Sequence, residues 1–155
     1  MTALTLRPAE PSDSRRVLDW RNRPEIRAMG SDNRPIDPAQ HDRWFAETVE
    51  SAARLLLIVE HEGEPIGSVR FDALGAGSWK VSIYLVEPFT GRGLGTEALR
   101  LGRDLVREHG AREVWAFVRD DNPRSIAAFR KEGYVEVAEP PVEAPPSHHA
   151  LRLAV

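Results

Sequence analysis

Val81-Ser-Ile-Tyr-Leu-Val-Glu-Pro-Phe-Thr-Gly-Arg-Gly-Leu-Gly-Thr-Glu-Ala-Leu99 is the stretch on which the reading of this chain turns. Residues 81–86 are apolar and rich in β-branched and aromatic side chains, the composition of a buried strand. Glu87-Pro88 ends that strand, because proline has no N–H to give to a ladder. Gly91, Gly93 and Gly95 then alternate with Arg92 and Leu94. From Thr96 onward the spacing is helical: Leu94, Ala98, Leu101, Leu105 and Val106 share one face, with Arg100, Arg103, Asp104 and Arg107 mostly opposite. A strand, a glycine turn and a helix bring unpaired N–H groups and the positive end of a helix dipole to one point. That point suits a phosphate, and Arg92 adds charge beside it. A tight turn with no ligand is the alternative.

Two common glycine motifs do not fit. A Walker loop needs Gly-Lys-Ser/Thr after its last glycine, where this chain has Gly95-Thr96-Glu97. A Rossmann fingerprint needs its third glycine three positions after the second, and Gly95 follows Gly93 by two. Thr90-Gly-Arg-Gly-Leu-Gly95 instead resembles the acetyl-CoA pyrophosphate loop of the GNAT acyltransferases, Gln/Arg-x-x-Gly-x-Gly/Ala, with Thr90 in place of the first Gln or Arg. Asn122-Pro-Arg-Ser-Ile-Ala-Ala-Phe-Arg-Lys-Glu-Gly-Tyr134 is similar to a second segment of that family, an asparagine that opens a helix closed by Gly-Phe/Tyr. Two motifs in the right order and separation are far more specific than either alone.

The rest of the chain agrees. Its 155 residues suffice for one domain with a sizeable core, spanning 1–155. The formal charge of −3 gives no argument for a nucleic-acid or membrane surface. The absence of cysteine excludes disulfides and thiol nucleophiles. The longest apolar run, 55–59, is too short to span a bilayer, and the first residues lack a signal-peptide core, so a soluble cytoplasmic protein is the expectation.

In order, the sequence predicts a strand at 4–7 and a helix capped by Ser12 or Asp13 and running through Trp20. A short helix within 25–29, a polar loop at 31–38 and a helix opening at Asp37-Pro38 follow. Strands at 55–60, 66–71 and 81–86 form an antiparallel meander. After the long helix come a strand at 113–118, parallel to the central one because a helix crosses between them, and a helix at 123–131. Strands at 134–138 and 149–155 close the chain around a proline-rich loop. The expected fold class is α+β, in three layers, and the resemblance implies the GNAT fold, with antiparallel N-terminal strands, a splayed parallel pair in the centre and helices on both faces.

The resemblance implies a chemistry. Acetyl-CoA is the expected co-substrate, with no metal, and a small-molecule amine the expected acceptor. Tyr84, Leu85 and Val86 would offer strand backbone to the pantetheine arm. Arg92, Gly93, Leu94, Gly95 and Thr96 would hold the pyrophosphate, and Asn122 the arm or its thioester end. Arg124, Arg130 and Lys131 are candidates for the coenzyme's other phosphate, or simply an exposed helix face. The family's strand glutamate falls near Lys80 here, and its frequent general-acid tyrosine falls at Phe129. Ser125 or Tyr84 could supply the proton instead, and His41 and Glu87 are candidates for the base. Lys80 could bind an anionic acceptor or be a solvated strand residue.

On the acceptor side, Asp19-Trp-Arg-Asn-Arg23 and His41-Asp-Arg-Trp44 resemble the GNAT subgroup that acetylates UDP-linked amino sugars. Trp20 or Trp44 could stack on a base, Arg21, Arg23 or Arg34 could meet a pyrophosphate, and Asn22 belongs to the same cluster. Packing of both tryptophans onto the sheet is the alternative. One of His148 and His149 could line the acceptor cleft. Acetylation of protein N-termini or of other small amines is the second reading, and a non-catalytic acyl-CoA sensor or interaction module the third. Either a monomer or a homodimer is compatible with the sequence.

Overall fold

A computed structural model describes residues 3–30 and 32–155, so Ser31 of the predicted polar loop lies outside the described residues. The elements are β1 (Leu4–Pro8), a 3-10 turn (Pro11–Asp13), α1 (Ser14–Arg21), α2 (Pro24–Arg27), α3 (Pro38–Glu50), β2 (Arg54–His61), β3 (Glu64–Gly75) and β4 (Ser78–Leu85). There follow α4 (Leu94–Glu108), β5 (Glu113–Arg119), α5 (Pro123–Lys131), β6 (Val135–Glu136) and β7 (His148–Ala154). Among the described residues the strands form one seven-stranded sheet in the order β1-β2-β3-β4-β5-β7-β6. Only β4 and β5 run parallel, and α4 is their crossover. Every other neighbouring pair is antiparallel.

The sheet is covered on both faces, and the strands show it. In β2, Leu56 and Ile58 turn to one side, Leu57 and Val59 to the other, and all four are buried. That is why this strand reads as a continuous apolar run rather than an alternation. Leu56 and Ile58 join Val17, Trp20, Ile26 and Phe45 from α1, α2 and α3 in one core. Leu57 and Val59 join Leu94, Ala98, Leu99 and Val106 of α4 and Phe129 of α5 in the other. Gly102 lets α4 approach β3 closely, since a Cβ there would stand 3.1 Å from the Phe71 ring.

The N-terminal layer is tied down by charge. Asp13 is buried and accepts both Arg7 guanidinium nitrogens at 2.8 and 2.9 Å, the Glu10 N–H at 2.8 Å and Arg16 at 2.8 Å. This corrects the expected role of Asp13 as a side-chain cap of α1: its oxygens are taken by β1 and the preceding turn. Asp37 does cap α3, accepting from the Gln40 N–H at 3.1 Å.

Three boundaries differ from the sequence reading. The β3–β4 hairpin runs from 64 to 85 around Gly75-Ala76-Gly77, longer than its apolar runs, because the ladder continues through the polar pair Asp72↔Lys80. The α4 helix starts at Leu94 rather than Thr96. The strand expected at 134–138 shrinks to Val135–Glu136, an edge pair on β7, because Tyr134 turns inward and stacks edge-on against Phe129 at 5.0 Å.

Candidate active site

The parallel ladder between β4 and β5 lasts only from Ser78↔Glu113 to Lys80↔Trp115. Its closed end is pinned by Glu113, whose carboxylate accepts from the Ser78 hydroxyl and the Trp115 indole N–H, each at 2.6 Å. Those two hydrogen bonds hold its pKa below the ordinary carboxylate range. Beyond Lys80 the strands part, β4 staying with β3 and β5 with β7. The Val86 N–H donates to the Ile66 carbonyl at 2.8 Å, so by alternation Tyr84 and Val86 spend their main-chain groups on β3. Ile83 and Leu85 present theirs to the opening wedge.

At the open end, Gly91 and Gly93 take left-handed backbone, with φ 71° and 79°. A side chain at either would be strained, and Gly93 in this conformation is the N-cap that launches α4. The amides of Leu94, Gly95 and Thr96 in the first turn have no carbonyl to bond inside the helix. They face outward at the positive end of a 15-residue helix.

Two cavities fill the wedge and meet. One, of about 460 Å³, is lined by Leu85, Thr90, Gly93, Gly95 and Thr96, with Arg124 and Lys131 of α5 across from them. The other, of about 420 Å³, is lined by Arg21, Arg27, Arg70, Lys80, Phe117 and His148, among others. Met29, Ile83, Tyr84, Asn122, Ser125 and Phe129 line both and mark the junction. Asn122 caps α5, its Oδ1 accepting from the Ser125 N–H at 3.3 Å, which leaves its NH₂ group at the junction.

The other residues singled out in the sequence fall as follows. Glu87 lines the first cavity. Arg92 is exposed, with its guanidinium 5.6 Å from the Phe89 ring centre, and its side chain lines neither cavity. Leu94 and Val86 are buried in the cores. Arg34 lines the second cavity, paired with Asp32 at 2.7 Å. Trp20 is packed in the N-terminal core, edge-on to Tyr84. Asn22 is fully used as a clip, donating to the Ile36 carbonyl at 3.2 Å and accepting its N–H at 2.7 Å. His148 lines the second cavity, whereas His149 turns to Asp120 and Glu136.

His41 is buried and lines neither cavity. Its Nε2–H donates to the Ser14 carbonyl at 2.9 Å, so its Nδ1 lone pair accepts from Arg21 Nη1 at 3.1 Å. Burial above all, with the Arg21 charge, holds its pKa below the usual 6.5 against the Ser14 bond and Asp42. The Tyr84 hydroxyl is also buried, without a hydrogen bond of good geometry. Desolvation pushes its pKa far up, opposed by Arg21, the Ser68 hydroxyl and Arg70. Arg70, Arg27 and Glu143 were not singled out in the sequence. They come from β3, α2 and the proline-rich loop, and no local pattern links them.

Residues 3–135 match the family described as the acetyltransferase (GNAT) domain. A Bacillus subtilis (strain 168) protein named "Putative phosphinothricin acetyltransferase YwnH" is 31% identical over 144 residues, covering 86% of this chain and 85% of its own length. The aminoglycoside acetyltransferase AAC(6')-Ib, solved with coenzyme A and kanamycin, superposes with a TM-score of 0.83 at 20% identity, over 98% of this chain and 95% of that one. The spermidine N-acetyltransferase of Vibrio cholerae, solved with CoA and spermine, gives 0.82 at 18% identity, over 96% and 92%.

Proposed function

This chain belongs to the GNAT acetyltransferase family, and from that premise we propose that it transfers acetyl from acetyl-CoA directly to the neutral primary amine of a small acceptor. The observation that carries the reading is the wedge beyond Lys80, with free helix amides at one end and a second cavity at the other. The amides of Leu94, Gly95 and Thr96 take the pyrophosphate. Ile83 and Leu85 pair with the pantetheine arm as a missing strand would, and the Asn122 NH₂ group donates to its thioester end. Arg124 and Lys131 face the coenzyme's remaining phosphate.

The acceptor amine then enters from the second cavity. Its nitrogen forms a C–N bond to the carbonyl carbon, the C–S bond breaks, the amine loses a proton and the thiolate gains one. Holding both reactants at the junction, with N–H donors aimed at the developing oxyanion, supplies much of the acceleration. Ser125, which lines both cavities, can return the proton to sulfur, whereas the Tyr84 hydroxyl is buried and its raised pKa makes it the poorer acid. His41, with both ring nitrogens engaged, supports Arg21 instead of acting as the base.

Within small amines, a nucleotide-linked amino sugar is the finer reading, supported by the guanidiniums that could take its pyrophosphate. Its base would stack on a residue other than Trp20, which is only 5% exposed. The first test is thermal denaturation with acetyl-CoA. A ligand at about 100 times its dissociation constant adds about 2.7 kcal/mol, or roughly 5–10 °C at this size. No rise near millimolar acetyl-CoA would overturn the coenzyme site. A rise without thiol release across a broad amine panel would favour the non-catalytic binder.

A further inference from the structure

The protein carries a formal charge of −3, yet five cationic side chains and two carboxylates line the second cavity. The cations are Arg21, Arg27, Arg34, Arg70 and Lys80; the carboxylates are Asp32 and Glu143. Arg34 is spent on Asp32, and Arg70 shares Asp72 at 3.0 Å. Among the described residues Arg21, Arg27 and Lys80 have no carboxylate within salt-bridge distance, and the Arg27 Nε is buried without a partner. This excess of positive charge is local to the wedge.

Behind two of these cations stands Trp44, which packs on the N-terminal core and itself lines neither cavity. The Arg21 and Arg70 guanidinium carbons stand over that indole, 4.3 and 5.2 Å from its centre. Two like charges against one ring repel. Cation–π attraction offsets part of that cost. Arg21 is half-buried, and desolvation together with the Arg70 charge depresses its pKa. The protein keeps it aimed all the same, since neutral His41 accepts from Nη1. A guanidinium that is desolvated, oriented and unpaired is a receptor for an oxyanion, which would join Arg21 to Arg70 and remove the repulsion.

We propose that the acceptor is an anionic amine, whose carboxylate or phosphoryl group is taken by Arg21 and Arg70 where they line the second cavity, with Lys80 completing the charge. The inference rests on the transferase reading and narrows it. Trp44 and His41 are positioning residues here: one carries the two guanidiniums, and the other fixes the direction of Arg21. Polycationic amines are excluded by the same charges.

The test uses the full chain saturated with CoA, so that the glycine loop is already filled. Inorganic phosphate and, separately, spermine are titrated at constant ionic strength, with tryptophan fluorescence as the readout. Phosphate should give a saturable change and spermine none. Phosphate affinity should fall at least tenfold in Arg21→Gln and in Arg70→Gln and recover in part in Arg21→Lys, while CoA affinity stays within twofold in all three. In a turnover assay, an α-amino acid should release thiol faster than its amide by tenfold or more. A phosphate response unchanged in both glutamine variants, no saturable response in the wild type, or competition by spermine would overturn the proposal. Should Arg21→Gln fail to fold, Arg70→Gln decides. Failure of the wild type to bind CoA would sink the transferase reading itself. CoA binding without an anion response would sink only this one.

Discussion

Replacing Gly95 by glutamate should move stability and coenzyme affinity in opposite directions. Gly95 lies in the first turn of α4, and its φ is not in the left-handed region. A Cβ built there meets nothing closer than Leu85 Cδ1 at 3.9 Å, an ordinary contact. The folded protein therefore has room for a side chain to start, and the loop pattern that Gly95 matches itself admits alanine, so the test needs a larger, anionic group. Glutamate is better than glycine in a helix by up to about 1 kcal/mol, less in a first turn, and a carboxylate suits the positive end of the dipole. At this chain length the melting midpoint of the free protein should rise by roughly 1–3 °C. The same side chain would enter the cavity that Gly95 lines, where phosphate oxygens must come within about 2.9 Å of the Leu94, Gly95 and Thr96 amides. A carboxylate there competes for two or three hydrogen bonds to a charged group, each worth about 1.5–3 kcal/mol, and repels the phosphates. A loss of about 3 kcal/mol is roughly a hundredfold in affinity. Calorimetric titration with acetyl-CoA, paired with thermal denaturation of the free protein, measures both quantities on one sample. Unchanged affinity in a well-folded Gly95→Glu protein would refute the loop assignment. Lost affinity together with a lowered midpoint would mean that Gly95 serves packing.

Other outcomes follow from the same structure. Asp13→Ala leaves Arg7 and Arg16 facing a vacated site and should cost about 3 kcal/mol in urea denaturation. The Arg7 hydrogen bond, first among its causes, lowers the Asp13 pKa from 3.8. Its stabilisation is thus complete above the unfolded value and lost as pH falls through the folded one, so stability measured below pH 4 should converge with that of the variant. His41 has the opposite charge type and the same direction of shift: lowered from 6.5. The unfolded chain takes the proton first, so stability is full above about pH 6.5 and declines as pH falls below it. In His41→Gln that decline should flatten. Asn122→Ala should remove about 1 kcal/mol by uncapping α5 and weaken acetyl-CoA binding, whereas Asn122→Asp should keep the cap and still lose the NH₂ donor.

The fold was legible because its signals are contiguous. The apolar run at 55–59, the glycines that close the β3–β4 hairpin and the one-sided face of α4 each sit within a few turns or residues. What misled was polar ladder. Asp72 and Lys80 extend the hairpin through hydrogen bonds that the side-chain pattern does not announce. Asp13 looked like a cap because caps are short-range. Its true partners include Arg7, six residues back on a neighbouring strand.

The two halves of the candidate site differ for a related reason. The proposed coenzyme half is built largely from main chain, and main chain that must be reached leaves glycines in a row, so Gly91, Gly93 and Gly95 stand out in the sequence. The acceptor half is built from side chains on separate elements. Arg21 comes from α1, Trp44 from α3, Arg70 from β3 and Lys80 from β4, and only the sheet order brings them together. The Trp-Arg-Asn and His-x-x-Trp segments fall beside the second cavity, in mixed roles. Trp20 fills a core, Asn22 clips a loop, His41 aims an arginine, and Arg21 alone of the Trp-Arg-Asn trio lines the cavity. On the proposed reading, a segment can mark an acceptor pocket although most of its residues do not line it. They set the position and charge state of the one that does, and a substitution at His41 or Trp44 should alter acceptor selection while leaving the glycine loop and its coenzyme untouched.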